Sequence, residues 1–209
     1  MIKKLHNIFL AVFVGGALTA CSKDDAEPVP QYDGITVIEG TLEIAVSQSF
    51  NNNPRCYLDL ATGATYRVGD APANAANIDM VLGTGQGYNE PLKTYAVSPS
   101  NNEILAVDDA SVWQDSELFM NWPVRNASLF ALHGSKDFTT IVNNIQLDEF
   151  IGDTETTLNK FQLNSDYDLT IVYVFRVKRG DVNYKGAIKF DLTNGNDGDF
   201  KFIIKVKQE

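Results

Sequence analysis

The sequence has few of the residues on which metal and nucleophile chemistry depends. It contains two cysteines and two histidines among 209 residues, and no Gly-x-Ser-x-Gly motif of the hydrolase type is present. A zinc site needs several His, Cys or carboxylate ligands close together, and the sequence shows no His/Cys cluster. Basic residues number 17 against 27 acidic ones, which argues against nucleic acid as a partner. The composition therefore favours a binding protein over an enzyme.

The main apolar run near the start of the chain is too short to span a bilayer. Residues 8–18 form this run, after Lys3 and Lys4. It falls well below the length that a hydrocarbon core of ~30 Å requires, but it suits the central region of a secretory signal peptide. We predict that residues 1–20 are such a peptide. Its removal takes two lysines and no acidic residue, so the net charge of the remaining chain is about -12.

Leu18, Thr19, Ala20 and Cys21 close this segment and resemble the lipobox of bacterial lipoproteins. In that family the peptide is cut before the cysteine, which then carries a diacylglycerol and an acylated amine. The resemblance implies that Cys21 is a lipid anchor and that the membrane is a partner through it. Several acyl chains together anchor a protein stably. The alternative is a plain secretory peptide that happens to contain a cysteine.

A short charged stretch follows the anchor directly, consisting of Ser22, Lys23, Asp24 and Asp25. It resembles the surface-export signal of Bacteroidota lipoproteins, which implies an outer-membrane protein displayed on the cell surface. The alternative is a solvated tether. Pro28 and Pro30 predict an extended linker, so we assign residues 21–33 to the lipidated cysteine and linker and residues 34–209 to a single β-rich domain.

Alternation of apolar and polar residues dominates this domain and predicts strands. The predicted strands are 41–46, a hairpin over 55–68 with Gly63 at its turn, 78–82, 95–98, 104–107, 169–177, 182–192 and 200–206. Residues 169–177 are apolar on both faces, as in a central strand covered on both sides. The last three strands predict an antiparallel meander. The fold class expected is all-β, mainly antiparallel, a β-sandwich or open barrel with short helical insertions.

The helical insertions are expected in the middle of the chain. Mixed spacing predicts short helices at 111–121 and 135–143, the second with Ser135 as its cap, while 145–161 is expected to hold one or two short strands. The glycines of residues 83–87 predict a loop, because their spacing does not fit a dinucleotide fingerprint.

Three short segments of the domain stand out, and they are residues 57–63 (YLDLATG), 78–81 (IDMV) and 173–176 (YVFR), the last followed by a lysine-rich strand. Together they resemble the HmuY-like lipoproteins of Bacteroidota. The resemblance implies an all-β domain. In some members the domain holds haem between two sheets through a pair of axial His or Met ligands, so haem is a possible cofactor here. A small-molecule ligand or an outer-membrane uptake partner is the implied interaction.

His133 and Met120 are the possible haem ligands. Met120 lies in the apolar-aromatic run 118–122, which would line a pocket, and His133 follows the apolar run 129–132. Met80 shares a strand face with its apolar neighbours, so we expect it to pack in the core. A lone histidine is more often a surface or hydrogen-bonded residue, and this alternative stays open for His133.

The remaining predictions concern single residues and short motifs. Cys56 is the only thiol left after lipidation, and we expect it to be buried and inert. Residues 179–181 (RGD) are expected to form a turn first, and an adhesive surface module is an alternative. Carboxylate pairs at 108–109 and 148–149 would serve a carbohydrate-active protein, although solvated loop charge is their simpler role in an acidic chain. Tyr88, Trp113 and Trp122 would stack on a sugar, although burial is the simpler role for both tryptophans.

Overall fold

The computed structural model describes residues 32–44, 53–85, 93–101, 122–134, 138–163, 170–191 and 199–209. They belong to a compact unit, Gln31–Glu209. The strands in them are β1 Thr36–Glu43, β2 Tyr57–Leu58, β3 Thr65–Tyr66, β4 Met80–Gly85, β5 Lys93–Val97, β6 Ala127–Leu132, β7 Lys160–Leu163, β8 Thr170–Arg179, β9 Val182–Asp191 and β10 Asp199–Gln208. One α-helix, α1 Asn144–Ile151, lies within the same ranges.

The strands form two five-stranded antiparallel sheets. Sheet I has the order β1-β10-β9-β8-β6, and sheet II has the order β3-β2-β4-β5-β7. Every pairing between the strands is antiparallel. The predicted all-β sandwich is therefore confirmed, and so is the closing meander, which is β8-β9-β10.

The main core lies between the two sheets, because each strand turns its alternate apolar residues inward. Phe130, Phe175 and Phe190 are fully buried there. The ring of Phe161 on sheet II lies 4.9 Å from that of Phe130 and 3.8 Å from that of Tyr173, both on sheet I. Burying one such side chain contributes about 1.5–3 kcal/mol, so these contacts hold the sheets face to face.

Helical segments cover the outer face of each sheet. On sheet I, Leu147 and Ile151 of α1 pack against Val172 and Val174 of β8, which explains why β8 is apolar on both faces, as predicted. The side chain of Asn143 caps α1 by accepting a hydrogen bond of 2.8 Å from the backbone N–H of the third helical residue. On sheet II, a 3-10 helix at Pro72–Asn77 covers the corresponding face.

The two sheets are also joined along both sides. Phe130 of β6 and Leu158, just before β7, exchange backbone hydrogen bonds of 2.7 and 3.0 Å. On the opposite side, the backbone N–H of Glu43 donates to the carbonyl of Arg55 (3.0 Å), and the N–H of Arg55 donates to the Glu43 carboxylate (2.8 Å). The sandwich thus approaches an open barrel.

Several local predictions were wrong or only partly right. The segment 135–143, where a short helix was predicted, contains a 3-10 helix at Phe138–Thr140, and its predicted cap, Ser135, lies outside the described residues. The segment 145–161, where strands were predicted, contains most of α1, and only the start of β7 at Lys160 lies in it as a strand. Ile145 and Leu147 suggest the alternation of a strand, but Leu147 is buried while Ile145 is 64% exposed. The buried residues are Leu147 and Ile151, which are four positions apart, and this is the spacing of a helix. Strand β4 also continues through Gly85, where a loop was predicted. The strand at 104–107 and the helix at 111–121 lie outside the described residues.

Candidate functional site

A groove on the outer face of sheet I has the size of a small-ligand site. Its volume is about 570 Å³, and small-molecule sites commonly measure about 300–1,000 Å³. The residues that line it are Glu39, Gly40, Thr41, Lys189, Asp191, Lys201, Phe202 and Ile203. They come from β1, β10 and β9, which are neighbours in sheet I, so they form one continuous surface.

The strand register places charges around an apolar floor. Ile203 of β10 lies opposite Glu39 of β1 and Lys189 of β9, and Lys201 lies opposite Asp191. These residues point away from the core, because the residues between them point into it. Ile203 also packs against the apolar cluster beneath α1. The groove therefore combines an apolar base with lysine and carboxylate side chains at its rim.

Lys205 continues the same face of β10 beyond Ile203, and it is buried. Only 3% of the residue is exposed, and its ammonium donates hydrogen bonds to the carbonyls of Phe138 (2.8 Å) and Ile141 (2.7 Å). Burial lowers the pKa of Lys205, and the positive charge of Lys189 lowers it further. The strand register makes Lys189 a diagonal neighbour of Lys205, because Lys205 lies opposite Ala187, two residues before Lys189 on β9.

A second polar cluster joins the two sheets at one end of the sandwich; we call it the clasp, formed by Asp59, Asp79 and Arg179. The Arg179 guanidinium, from the end of β8, donates to Asp59 (2.5 Å) and, through Nε, to Asp79 (2.9 Å). The side chains of the two aspartates are 4% and 0% exposed, and that of Arg179 is 15% exposed. Two buried carboxylates thus share one cation.

Each carboxylate of the clasp also accepts other hydrogen bonds. The backbone N–H groups of Ala61 and Thr62 donate to Asp59 (2.8 and 3.0 Å), which fixes the β2-β3 turn. Asp79 accepts bonds from the N–H of Leu60 (2.8 Å) and the side chain of Asn126 (2.9 Å). Burial raises the pKa of Asp79, although the bonds and charge of Arg179 act in the opposite direction.

The clasp explains two segments that stood out in the sequence and weakens one alternative function. Asp59 and Asp79 are the acidic residues of the segments 57–63 and 78–81, so their role in this fold is to connect the sheets. Residues 179–181 form the predicted turn, with Gly180 at φ +57°. Because Arg179 is held by two aspartates, its guanidinium does not stand free at that turn, as recognition by an adhesion receptor would require.

His133 lies away from the groove, where β6 ends beside α1. Its backbone N–H donates to the carbonyl of Val172 (3.1 Å), and its ring stacks on Phe150 with centroids 4.0 Å apart. The Nδ1 atom is buried and has no hydrogen-bond partner in the described part of the chain. A bond from this histidine to haem iron would therefore have to use Nε2.

The other candidate residues divide into buried ones and ones that lie outside the described ranges. Met80 and Cys56 are fully buried, as predicted, and burial raises the pKa of Cys56 to about 12. Trp122 is 8% exposed and packs against Tyr57 at 5.5 Å, which confirms its predicted burial. The candidates outside the described residues are Cys21, Ser22, Lys23, Asp24, Asp25, Tyr88, Trp113 and Met120, together with the pair at 108–109.

The remaining carboxylate pair, residues 148–149, lies on α1. Asp148 forms ion pairs with Lys185 (3.0 Å) and Lys207 (2.5 Å), and these pairs lower the pKa of Asp148. Nowhere in the described ranges do three His, Cys, Asp or Glu side chains meet in a way that would hold a metal ion. No helix within those ranges is long and apolar enough to cross a membrane.

The groove residues were not predicted as a site. Lys189 and Lys201 belong to the polar faces of two predicted strands. Thr41 begins the predicted strand 41–46, whereas Glu39 lies before it, in the part of β1 that was not predicted. The available signal was that the lysines at 185 and 189, and those at 201, 205 and 207, share one face of their strand, and they become a patch only when the two strands pair. Searches of protein-family models, of curated proteins and of solved structures found no match to this chain.

Proposed function

We propose that this protein is a non-enzymatic binding module, anchored by lipid at Cys21 to the outer membrane and displayed outward, with the groove on sheet I as its ligand site. A small nutrient molecule, or a part of an uptake system, is the partner class. Membrane anchoring and outward display follow from the resemblances at residues 18–21 and 22–25. The ligand site follows from the structure of the groove.

The observation that carries the binding role is the groove itself. Its volume of about 570 Å³ matches small-molecule sites, which combine an apolar surface with a few polar groups. Its floor belongs to β9 and β10, two interior strands of sheet I. Interior strands are held on both sides by hydrogen bonds, so the groove is formed before a ligand arrives, and little ordering cost is expected on binding.

The neutral fluorescent dye N-phenyl-1-naphthylamine tests the groove directly. We expect saturable binding to the mature chain, residues 21–209 carrying Cys21→Ser. A tryptophan at Thr41, an exposed groove residue, should fill the groove and abolish binding. The control is Thr36→Trp, since Thr36 is exposed on the same strand but does not line the groove. Equal binding by the two variants would remove the groove as the ligand site.

Haem is the specific ligand that the family resemblance implies, and haemin titration tests it separately. A haem site that uses His133 predicts a sharp Soret band that is lost in His133→Ala. The same band should be weakened in Met120→Ala if Met120 is the second ligand. Absence of a saturable band would remove haem and leave the binding role with another ligand.

Anchoring and display each have their own experiment. Mass spectrometry of the protein purified from cells should find a chain beginning at a lipid-modified Cys21. An unmodified thiol, or a chain beginning at Met1, would contradict the anchor. Protease added to intact cells should degrade the protein, whereas survival of the protein would place it on the inner side of the outer membrane.

A further inference from the structure

We infer that the ligand of the groove carries an anionic group, a carboxylate, sulfonate or phosphate, on an apolar body, and that Lys189 and Lys201 bind this group. The inference rests on the proposed function, because it specifies the chemistry of the molecule that the groove would hold. It is drawn from the lysines of β9 and β10 and from the groups that they contact.

The lysines on the outer face of these two strands differ in their partners. Lys185 contacts Asp148 (3.0 Å) and Glu209 (2.9 Å), and Lys207 contacts Asp148 (2.5 Å). Lys205 is held by two backbone carbonyls. Each of these three lysines therefore has partners within the fold.

Lys189 and Lys201 are the lysines that line the groove, and neither forms an ion pair with a carboxylate of the described residues. The register makes them diagonal neighbours, because Lys201 lies opposite Asp191, two residues beyond Lys189 on β9. Diagonal neighbours have backbones about 7–8 Å apart, a span that two flexible lysine side chains can close around one small anion.

The charge balance around the groove also favours an anion, although the whole chain is acidic. Lys205 adds a buried positive charge on the same strand face, with no carboxylate bonded to it among the described residues. Glu39 lies on the edge strand β1 and is exposed, so water screens its charge most strongly. Asp191 adjoins both groove lysines and is expected to weaken anion binding in the wild-type protein.

The floor between these charges selects the rest of the ligand. Ile203 lies between Glu39 and Lys189 across the sheet. Lysine stems lie along apolar surfaces while their ammonium groups reach outward. An apolar body resting on Ile203 would therefore place its charged group between the two ammonium groups.

Two dyes of similar shape separate the two parts of this inference. 8-Anilino-1-naphthalenesulfonate has an apolar aromatic body and one sulfonate, whereas N-phenyl-1-naphthylamine lacks the charge. We expect the sulfonate dye to bind the mature chain more tightly, and rising salt to weaken only its binding. Lys189→Met and Lys201→Met should each weaken the sulfonate dye about fivefold and leave the neutral dye unchanged.

The control is Lys178→Met, because Lys178 is exposed on β8 of the same sheet and outside the groove; it should change neither dye. Asp191→Asn should strengthen binding of the sulfonate dye alone. Equal affinity for both dyes, with no effect of the lysine variants, would overturn the anion and leave the groove as a site. If Thr41→Trp fails to block either dye, the proposed ligand site fails, and the inference fails with it.

Discussion

Replacing Arg179 by alanine should destabilise the fold more than any exposed-charge substitution on the same strand. The change leaves Asp59 and Asp79, with side chains 4% and 0% exposed, without the cation that they share. Breaking a buried pair by removing one partner costs about 3–5 kcal/mol, against a total stability of about 5–15 kcal/mol for a typical domain. Arg176→Ala is the matched control: Arg176 is 43% exposed and lies 3.7 Å from Glu209, so its loss should cost less than about 1 kcal/mol.

The pH dependence gives the prediction a second, independent test. Burial holds the pKa of folded Asp79 above its ordinary value of 3.8, so the folded protein binds this proton more tightly than the unfolded chain. This carboxyl therefore lowers the free energy of unfolding as pH rises from 3.8 through the raised pKa. Removing Arg179 raises that pKa further. The difference between Arg179→Ala and the wild type should consequently be smallest at acid pH and largest near neutrality.

Urea unfolding followed by circular dichroism, at about pH 4 and about pH 7, measures both effects. The double variant Asp79→Asn/Arg179→Ala should lose less than the single variants predict by addition, because one of the two stranded carboxylates is then neutral. A loss below about 1 kcal/mol at neutral pH, or an equal loss at both pH values, would refute the assignment of the clasp as a buried charge network.

Three further predictions concern a turn, a thiol and a surface ion pair. Gly63→Ala should lower the free energy of unfolding in urea by about 2–4 kcal/mol, because Gly63 has φ +72° and a Cβ there would lie 2.1 Å from Ile38. The control is Gly134→Ala, which should cost only about 1 kcal/mol, because Gly134 has φ +86° but open space around it. Similar costs for the two variants would contradict the contact with Ile38. Cys56 should react with Ellman's reagent only as the protein unfolds, since it is buried with a pKa of about 12, and rapid labelling of the native protein would contradict its burial. Asp148→Asn should lower the free energy of unfolding by less than about 1 kcal/mol, because the Asp148 side chain is 44% exposed. High salt should remove this difference from the wild type. A cost that does not depend on salt would contradict the role of Asp148 as a surface ion-pair partner.

The sequence was sufficient to predict the strands whose alternation is strong and whose partners are local. Strands β8 and β10 have large apolar residues at every second position, β9 has them at every such position but Gly186, and a short turn joins β8 to β9. Strand β6 was missed because the residues beside Phe130 include Ala127, Ser128 and Ala131, which give little contrast between its faces. Ser128 is nevertheless fully buried, and its N–H donates to the Ser98 hydroxyl (3.0 Å).

The sites were harder to predict, because their residues are distant in the chain. Asp59 and Asp79 each stand among apolar residues, which indicates a buried partner, but only the three-dimensional fold identifies that partner as Arg179. The groove depends on the register of β1, β10 and β9. A shift of two residues in that register would keep every side chain on its face but would change which of Glu39, Lys189 and Lys201 lie side by side, and the alternation of apolar residues does not distinguish such registers.

The order of sheet I has a consequence for how the chain reaches this fold. Among the described strands, β1 hydrogen-bonds along its length only to β10, with residue 36 opposite residue 206. β1 therefore has no partner in sheet I until β10 has been synthesised. Contacts between such distant parts of a chain form slowly, so a growing chain keeps β1 unpaired until synthesis reaches β10.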